Sequence, residues 1–144
     1  MNKKHSGRIE IFHQHRWLRF KKVIAQEIVH SVIHCERYAL QEVNVIFVDD
    51  AFMKKLHKEY FDLSIGTDVI SFRFNSGKQI EGEIYICLDT AQKQAKQYFQ
   101  TYTQEVSRLL IHGTLHLLGY DDTTVATHKK MTQKENFYLQ NILL

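Results

Sequence analysis

Proline is absent from this chain of 144 residues, glycine occurs six times and cysteine twice. Without proline or any low-complexity tract there is no credible interdomain linker. No internal repeat is visible either, so one domain spanning residues 1–144 is expected. Cys35 and Cys87 are far apart and form no C-x-x-C pair, which argues against a disulfide framework and against a cysteine zinc site. No apolar run approaches the roughly 20 residues that cross a bilayer. The opening Met1-Asn2-Lys3-Lys4 is followed by His5-Ser6-Gly7-Arg8-Ile9-Glu10, without the apolar stretch of an export signal. A reducing cytoplasm, with no membrane partner, is the expected setting. A formal charge of +3 permits an anionic partner without demanding one.

What is present reads as nearly continuous secondary structure, with 44% hydrophobic residues, enough for one real core. Residues 8–13 alternate as a strand. Trp17, Phe20, Ile24, Ile28, Val32 and Cys35 then recur at helical spacing, predicting a helix from Trp17 to Cys35. Val43–Val48 is a β-branched strand, after which Asp49 or Asp50 can cap a helix to about Tyr60. Val69–Phe74 and Gly82–Leu88 flank the turn-like Asn75-Ser76-Gly77-Lys78 and predict a hairpin. Helices follow over Ala91–Phe99, about Thr103–Leu118, and Thr127 to about Ile142. The order β-α-β-α-β-β-α-α-α implies an α+β domain, a small mixed sheet of about four strands packed with about five helices.

The run His112-Gly113-Thr114-Leu115-His116-Leu117-Leu118-Gly119-Tyr120-Asp121-Asp122 carries the chemistry. Two imidazoles at i and i+4 share a helical face, Gly119 can stop the helix, and a returning carboxylate can complete a three-ligand metal site with an open position. The plainer reading is a pair of hydrogen-bonded histidines, but the glycine stop and the following carboxylates favour metal. Zinc suits two imidazoles, a carboxylate and a water; nickel, manganese or iron could use the same set. Glu105, Arg108, Leu109, His112 and His116 fall on one arc of this helix, read as the ligand face. Gly113 costs about 1 kcal/mol against alanine in a helix and is read as making room beside the metal. His30 and His34 are also four apart but lack a glycine stop and a third ligand. They read as boundary histidines, as do His5, His13, His15, His57 and His128, with His13 and His15 retained as possible phosphate contacts.

His112 to Asp122 resembles the H-G-x-L-H-L-x-G-Y-D-H signature of the YbeY family, metal-dependent endoribonucleases of bacterial ribosomal RNA maturation. Asp68-Val69-Ile70-Ser71-Phe72 is similar to the family's T-[DN]-V-L-S-F block, and Gly82-Glu83-Ile84-Tyr85-Ile86-Cys87 to G-D-I-x-I-[CS]. Glu105, Met131 and Glu135 also match. The resemblance runs from about Val43 onward and implies a zincin-like fold. It makes His112, His116 and Asp122 the metal ligands, one Zn2+ per chain, with Asp121 a turn residue and Glu105 a supporting partner. It departs in three places. Asp122 stands where the family usually has histidine, and its negative charge should reduce the Lewis acidity of the ion. Phe61 stands where an arginine usually follows the aromatic residue, here Tyr60. Arg73 stands where proline is usual and is the expected replacement cation.

The resemblance therefore implies an endoribonuclease preferring single strands, acting in small-subunit ribosomal RNA 3′ end processing and ribosome quality control, with ribosomal RNA and the ribosome or its proteins as partners. His112, His116 and Arg73 are the expected catalytic residues and Ser71 and Arg73 the substrate contacts. The segments Ser71–Arg73 and Glu83–Ile86 are expected to wall the cleft. Arg16, Arg19, Lys21 and Lys22 read as a solvated helix face, whose binding to RNA, if it served RNA, would weaken with salt. A different reading is a ribosome-associated assembly factor with a structural metal and little or no hydrolysis. A metallopeptidase is disfavoured because Gly113 occupies the position of the general base in H-E-x-x-H enzymes.

Overall fold

The computed structural model describes residues 7–61 and 67–142; His5 lies outside the described residues. The elements are β1 (Arg8–His13), α1 (Lys22–Cys35), β2 (Ala39–Val48), α2 (Asp50–Phe61), β3 (Val69–Arg73), β4 (Gln79–Cys87), α3 (Leu88–Gln97), α4 (Tyr102–Leu117) and α5 (Val125–Ile142). The strands form one sheet in the order β1-β2-β4-β3, parallel at the first two junctions and antiparallel at the last. This is the α+β class and mixed sheet that the sequence predicts, including the β3–β4 hairpin. Among the described residues no helix is long and apolar enough to cross a membrane.

Side chains alternate across a strand, so the register decides what lies beneath α4. Ile11, Val45, Ile84 and Ser71 align across the sheet in one row; Ile9, Val43, Gly82 and Arg73 form the next. Both rows face the main core, where Val43, Val45, Ile84 and Ile86 meet Ile28, Val32, Leu110, Ile111 and Leu115 of α1 and α4. The opposite face is covered more thinly by α2, whose Met53 and Leu56 pack on Val48, Ile70 and Cys87. Asp49 caps α2 as anticipated, its Oδ1 accepting the Phe52 N–H at 2.9 Å.

The expected start of the first helix at Trp17 is corrected to Lys22. Residues 14–21 form a loop in which the Gln14 and His15 N–H groups bind the Phe47 carbonyl and three further backbone donors are taken by histidine rings. His15 Nδ1 accepts the N–H groups of Trp17 and Leu18, both at 3.0 Å, and His13 Nε2 accepts that of Phe20 at 3.0 Å. These bonds replace the helical ladder that apolar spacing alone implies. His15 is buried, and its Nε2 lies 2.9 Å from Asp89 Oδ1. Both ring nitrogens of His15 and Nε2 of His13 are thus engaged within the protein.

Candidate metal centre

Helix α4 is fixed at both ends. At its start the Thr101 hydroxyl accepts the Gln104 N–H at 3.0 Å, and the Gln104 side-chain oxygen accepts the Thr101 N–H at 2.9 Å. At its end Gly119 adopts φ +101°, a conformation L side chains rarely take. The N–H groups of Gly119 and Tyr120 then turn back onto the carbonyls of His116 and Leu115 at 3.0 and 3.1 Å. This turn swings Tyr120 and Asp122 back beside the helix.

The Tyr120 carbonyl, 2.8 Å from His116 Nδ1, accepts the proton of that nitrogen, and Glu135 Oε2 on α5 accepts that of His112 Nδ1 at 2.6 Å. Each ring is thereby held with its Nε2 lone pair free, as metal-ligating histidines require. The two Nε2 atoms stand 2.9 Å apart, and Asp122 Oδ2 is 3.6 Å from His112 Nε2. All three groups offer ligand atoms within 4.8 Å of one another. Facing lone pairs at this distance repel, so the arrangement calls for a cation between them, a proton or a metal ion. Ligand atoms around a tetrahedral ion with bonds of about 2.0–2.1 Å stand about 3.3 Å apart, so these residues fit a divalent transition metal.

The surroundings are acidic. The cleft, about 340 Å³, is lined by His112, Asp122, Asp68, Glu105, Arg108, Glu135 and Met131, with Gln94 and Tyr98 of the α3 end opposite. Glu135 is only 8% exposed and joins the two sides of the site, one oxygen on His112 and the other accepting from Arg108 Nη1 at 2.9 Å. Burial opposes charge on His112, but Glu135, aided by Asp122 and Asp68, more than offsets it, and the imidazole pKa is raised. Burial and the neighbouring His112 lower that of His116. Burial also raises the Glu105 carboxyl; Arg108 opposes the shift, whereas Asp68 and Glu135 add to it. Behind the metal loop, Glu36 at the end of α1 accepts the Tyr120 hydroxyl at 2.6 Å, the Lys134 ammonium at 2.9 Å and the Tyr138 hydroxyl. Despite burial, these donors hold its carboxyl below the usual range.

Several expected site residues stand elsewhere. The Ser71 hydroxyl donates to the Gly113 carbonyl at 2.8 Å, between strand and helix. Arg73 donates to Asn75 Oδ1 (2.8 Å), the Leu117 carbonyl (3.0 Å) and the Gly77 carbonyl (2.8 Å), bracing the hairpin against the end of α4. The expectation that Ser71–Arg73 and Glu83–Ile86 wall the cleft is therefore corrected, because none of them lines it. The reason is register: Ser71 and Arg73 point under α4, and β3 reaches the cleft only through Asp68, which precedes it. Gly113 is corrected likewise. A Cβ there would lie 2.7 Å from Ile84 Cγ2, 3.0 Å from Val69 Cγ2 and 3.2 Å from Ser71 Oγ, so the glycine lets α4 sit on the sheet and does not make room beside the metal.

Other readings hold. Asp121 is exposed, its Oδ1 accepting the Thr123 N–H at 3.2 Å as a turn residue does. Phe61 packs on the His57 ring, 5.0 Å between centroids, so an aromatic contact stands where the family usually has a cation. His30 and His34 stack 6.1 Å apart, and neither belongs to a ligand cluster among the described residues. A second cluster, Asp50, Cys87 and Asp89, is occupied by the protein's own donors: Asp89 binds His15 and the Asp50 N–H, while the Cys87 thiol donates to Asp50. Periodicity places Arg108 on the ligand face, as found, but its pairing with Glu135 has no signal in spacing because it joins two helices; Glu135 enters the sequence reading only through the family resemblance.

Comparison with known proteins agrees with this geometry. The family model for Endoribonuclease YbeY matches residues 5–143. An Endoribonuclease YbeY from Chloroherpeton thalassium is 38% identical over 114 residues, covering 79% of this chain and 81% of its own. That from Salinibacter ruber is 31% identical over 144 residues, covering 94% and 92%. The solution structure of TM1509 from Thermotoga maritima superposes with a TM-score of 0.66 at 26% identity, over 94% of this chain and 89% of that one. With the signature on α4 and a match over nearly its full length, the chain belongs to the YbeY family.

Proposed function

We propose that this protein is a metal-dependent endoribonuclease acting on ribosomal RNA, with His112, His116 and Asp122 holding one ion per chain, zinc by preference. The observation that carries the reading is the pair of Nε2 lone pairs 2.9 Å apart, each ring oriented by its own Nδ1 acceptor, with Asp122 alongside. The relatives named above are endoribonucleases, and the site supplies that activity with a physical basis. When bound, the ion supplies Lewis acidity toward a phosphate oxygen and lowers the pKa of a coordinated water.

The chain's own residues do the rest. Glu135 fixes the His112 tautomer and adds basicity to the ring. Arg108, one helical turn before His112, presents its cation to the cleft and is the group placed to meet a phosphate. Glu105, its carboxyl raised by burial, lines the same cleft one turn before Arg108. Position 113 faces Ile84 and Val69, so the helix carries no general base of the peptidase kind there. Processing of small-subunit ribosomal RNA, preference for single strands, ribosome quality control, contact with ribosomal proteins and a cytoplasmic location follow as parts of the same proposal.

One observation favours a second reading, an assembly factor that binds RNA around a structural metal: the Asp122 carboxylate weakens the ion as a Lewis acid. The two are separated by assaying cleavage of single-stranded ribosomal RNA by metal-replete protein and by His112→Ala prepared identically. The enzyme reading expects cleavage by the first and its loss in the second, because removing a ligand costs more than the roughly 10–100-fold that removing a ligand's outer partner costs. Equal cleavage by both, or none by either, refutes it.

A further inference from the structure

We propose that single-stranded RNA runs from the metal centre past Arg108 into a second groove and stacks a base on Trp17; this extends the RNA reading above and rests on it. Arg108, whose guanidinium donates to Glu135 and to Asn136 Oδ1 on α5, lines two hollows. The first is the metal cleft, whose walls include Asp68, Glu105, Asp122 and Glu135 and repel a polyanion except at the ion. The second, about 720 Å³, lies between α1, α4 and α5. Its polar lining is Gln100, Thr103, Gln104, Asn136 and Gln140 with Arg108, and it contains no carboxylate among the described residues. Amide and hydroxyl donors around one guanidinium suit phosphates and base edges, so the groove without carboxylates is the favourable way out for an anionic strand. From His112 to the Thr101 cap the path follows α4 for about 16 Å, at 1.5 Å per residue.

The loop before α1 lies beside this groove, although none of its residues lines it. The Tyr102 hydroxyl donates to the Arg19 carbonyl at 3.1 Å, and Ile24 on the groove wall is one helical turn from Lys21. There Arg16, Arg19, Lys21 and Lys22 are all exposed, and the Arg16 guanidinium lies 5.3 Å from the centre of the Trp17 ring. The lowered pKa of His13, due first to burial and then to Arg19 and Lys22, reports the same positive field. Trp17 is 77% exposed, yet its backbone is held by the buried His15, itself bound to Asp89. An indole offered to solvent from a fastened loop is a preorganised stacking platform, which accepts any base because every base has a π face.

Trp17 is the sole tryptophan of the chain and so reports on its own contact. A 12-nucleotide single-stranded RNA, labelled and checked on a gel for intactness, is titrated into the full-length protein while anisotropy and indole fluorescence are read together. The proposal expects binding with quenched tryptophan emission, and affinity about tenfold weaker in Trp17→Ala, the scale of one stacked base. Lys21→Ala with Lys22→Ala should flatten the dependence of log affinity on log salt by about 1.4, two phosphate contacts at about 0.7 each. Lys54→Ala with Lys55→Ala on α2, on the other side of the sheet, should leave that slope unchanged. Binding with unquenched emission and undiminished affinity in Trp17→Ala overturns this path but leaves the nuclease reading intact. If RNA does not bind at all, both fall.

Discussion

Replacing Gly113 by alanine sets two opposed effects against each other at one position. In an unconstrained helix the change stabilises by about 1 kcal/mol, because alanine loses less backbone entropy on folding. Here the added Cβ would sit 2.7 Å from Ile84 Cγ2 and 3.0 Å from Val69 Cγ2. Both are methyl groups on β-branched side chains with little rotamer freedom, so relief requires α4 to lift from the sheet. Such overpacking costs about 1–3 kcal/mol, and two stiff contacts place this case toward the upper end. The net expectation is a loss of about 1–2 kcal/mol, read as a lower urea midpoint at unchanged m-value. Lifting α4 also displaces His112 and His116 relative to Asp122, so metal affinity should fall with stability. The sign decides the matter: a gain of about 1 kcal/mol, as at an open helical site, refutes close packing as the reason for this glycine.

Three further outcomes follow from the same contacts. Glu135→Ala should weaken metal binding by about 10–100-fold, as loss of the group orienting a ligand histidine does, and calorimetry against a competing chelator measures it; unchanged affinity refutes the orienting role. Arg73→Ala should cost about 1–2 kcal/mol of stability, because it frees the Leu117 and Gly77 carbonyls. A variant with native stability but reduced RNA affinity would return Arg73 to the substrate. The Glu36 carboxyl is depressed in the folded state, so its contribution is fully present above its unfolded value of about 4.5 and is lost as pH falls through the lower folded value. Glu36→Gln should therefore flatten the acid limb of the stability curve; an unaltered limb refutes the linkage.

Periodicity and turn chemistry made the order of elements, the mixed sheet and the hairpin legible in the sequence, because these depend on neighbours in the chain. The His112, His116 and Asp122 grouping was legible for the same reason, since an i, i+4 pair and a glycine stop are local devices. Ser71 and Arg73 were misplaced because period 2 says that residues share a face without saying which face is buried; that depends on α4, which follows much later. The late start of α1 escaped because two histidine rings supplied acceptors that propensity does not register. Residues Arg108 and Glu135 meet only once α5 folds back on α4, a tertiary contact with no signal in spacing.

The most direct test of the central claim is a titration of metal-free protein with zinc while cleavage of single-stranded ribosomal RNA is followed. Activity is expected to be absent without metal, to rise in proportion to added zinc and to level off at one ion per chain, with no such rise in His116→Ala. Cleavage that persists in the metal-free protein, or that zinc restores equally in His116→Ala, contradicts the account.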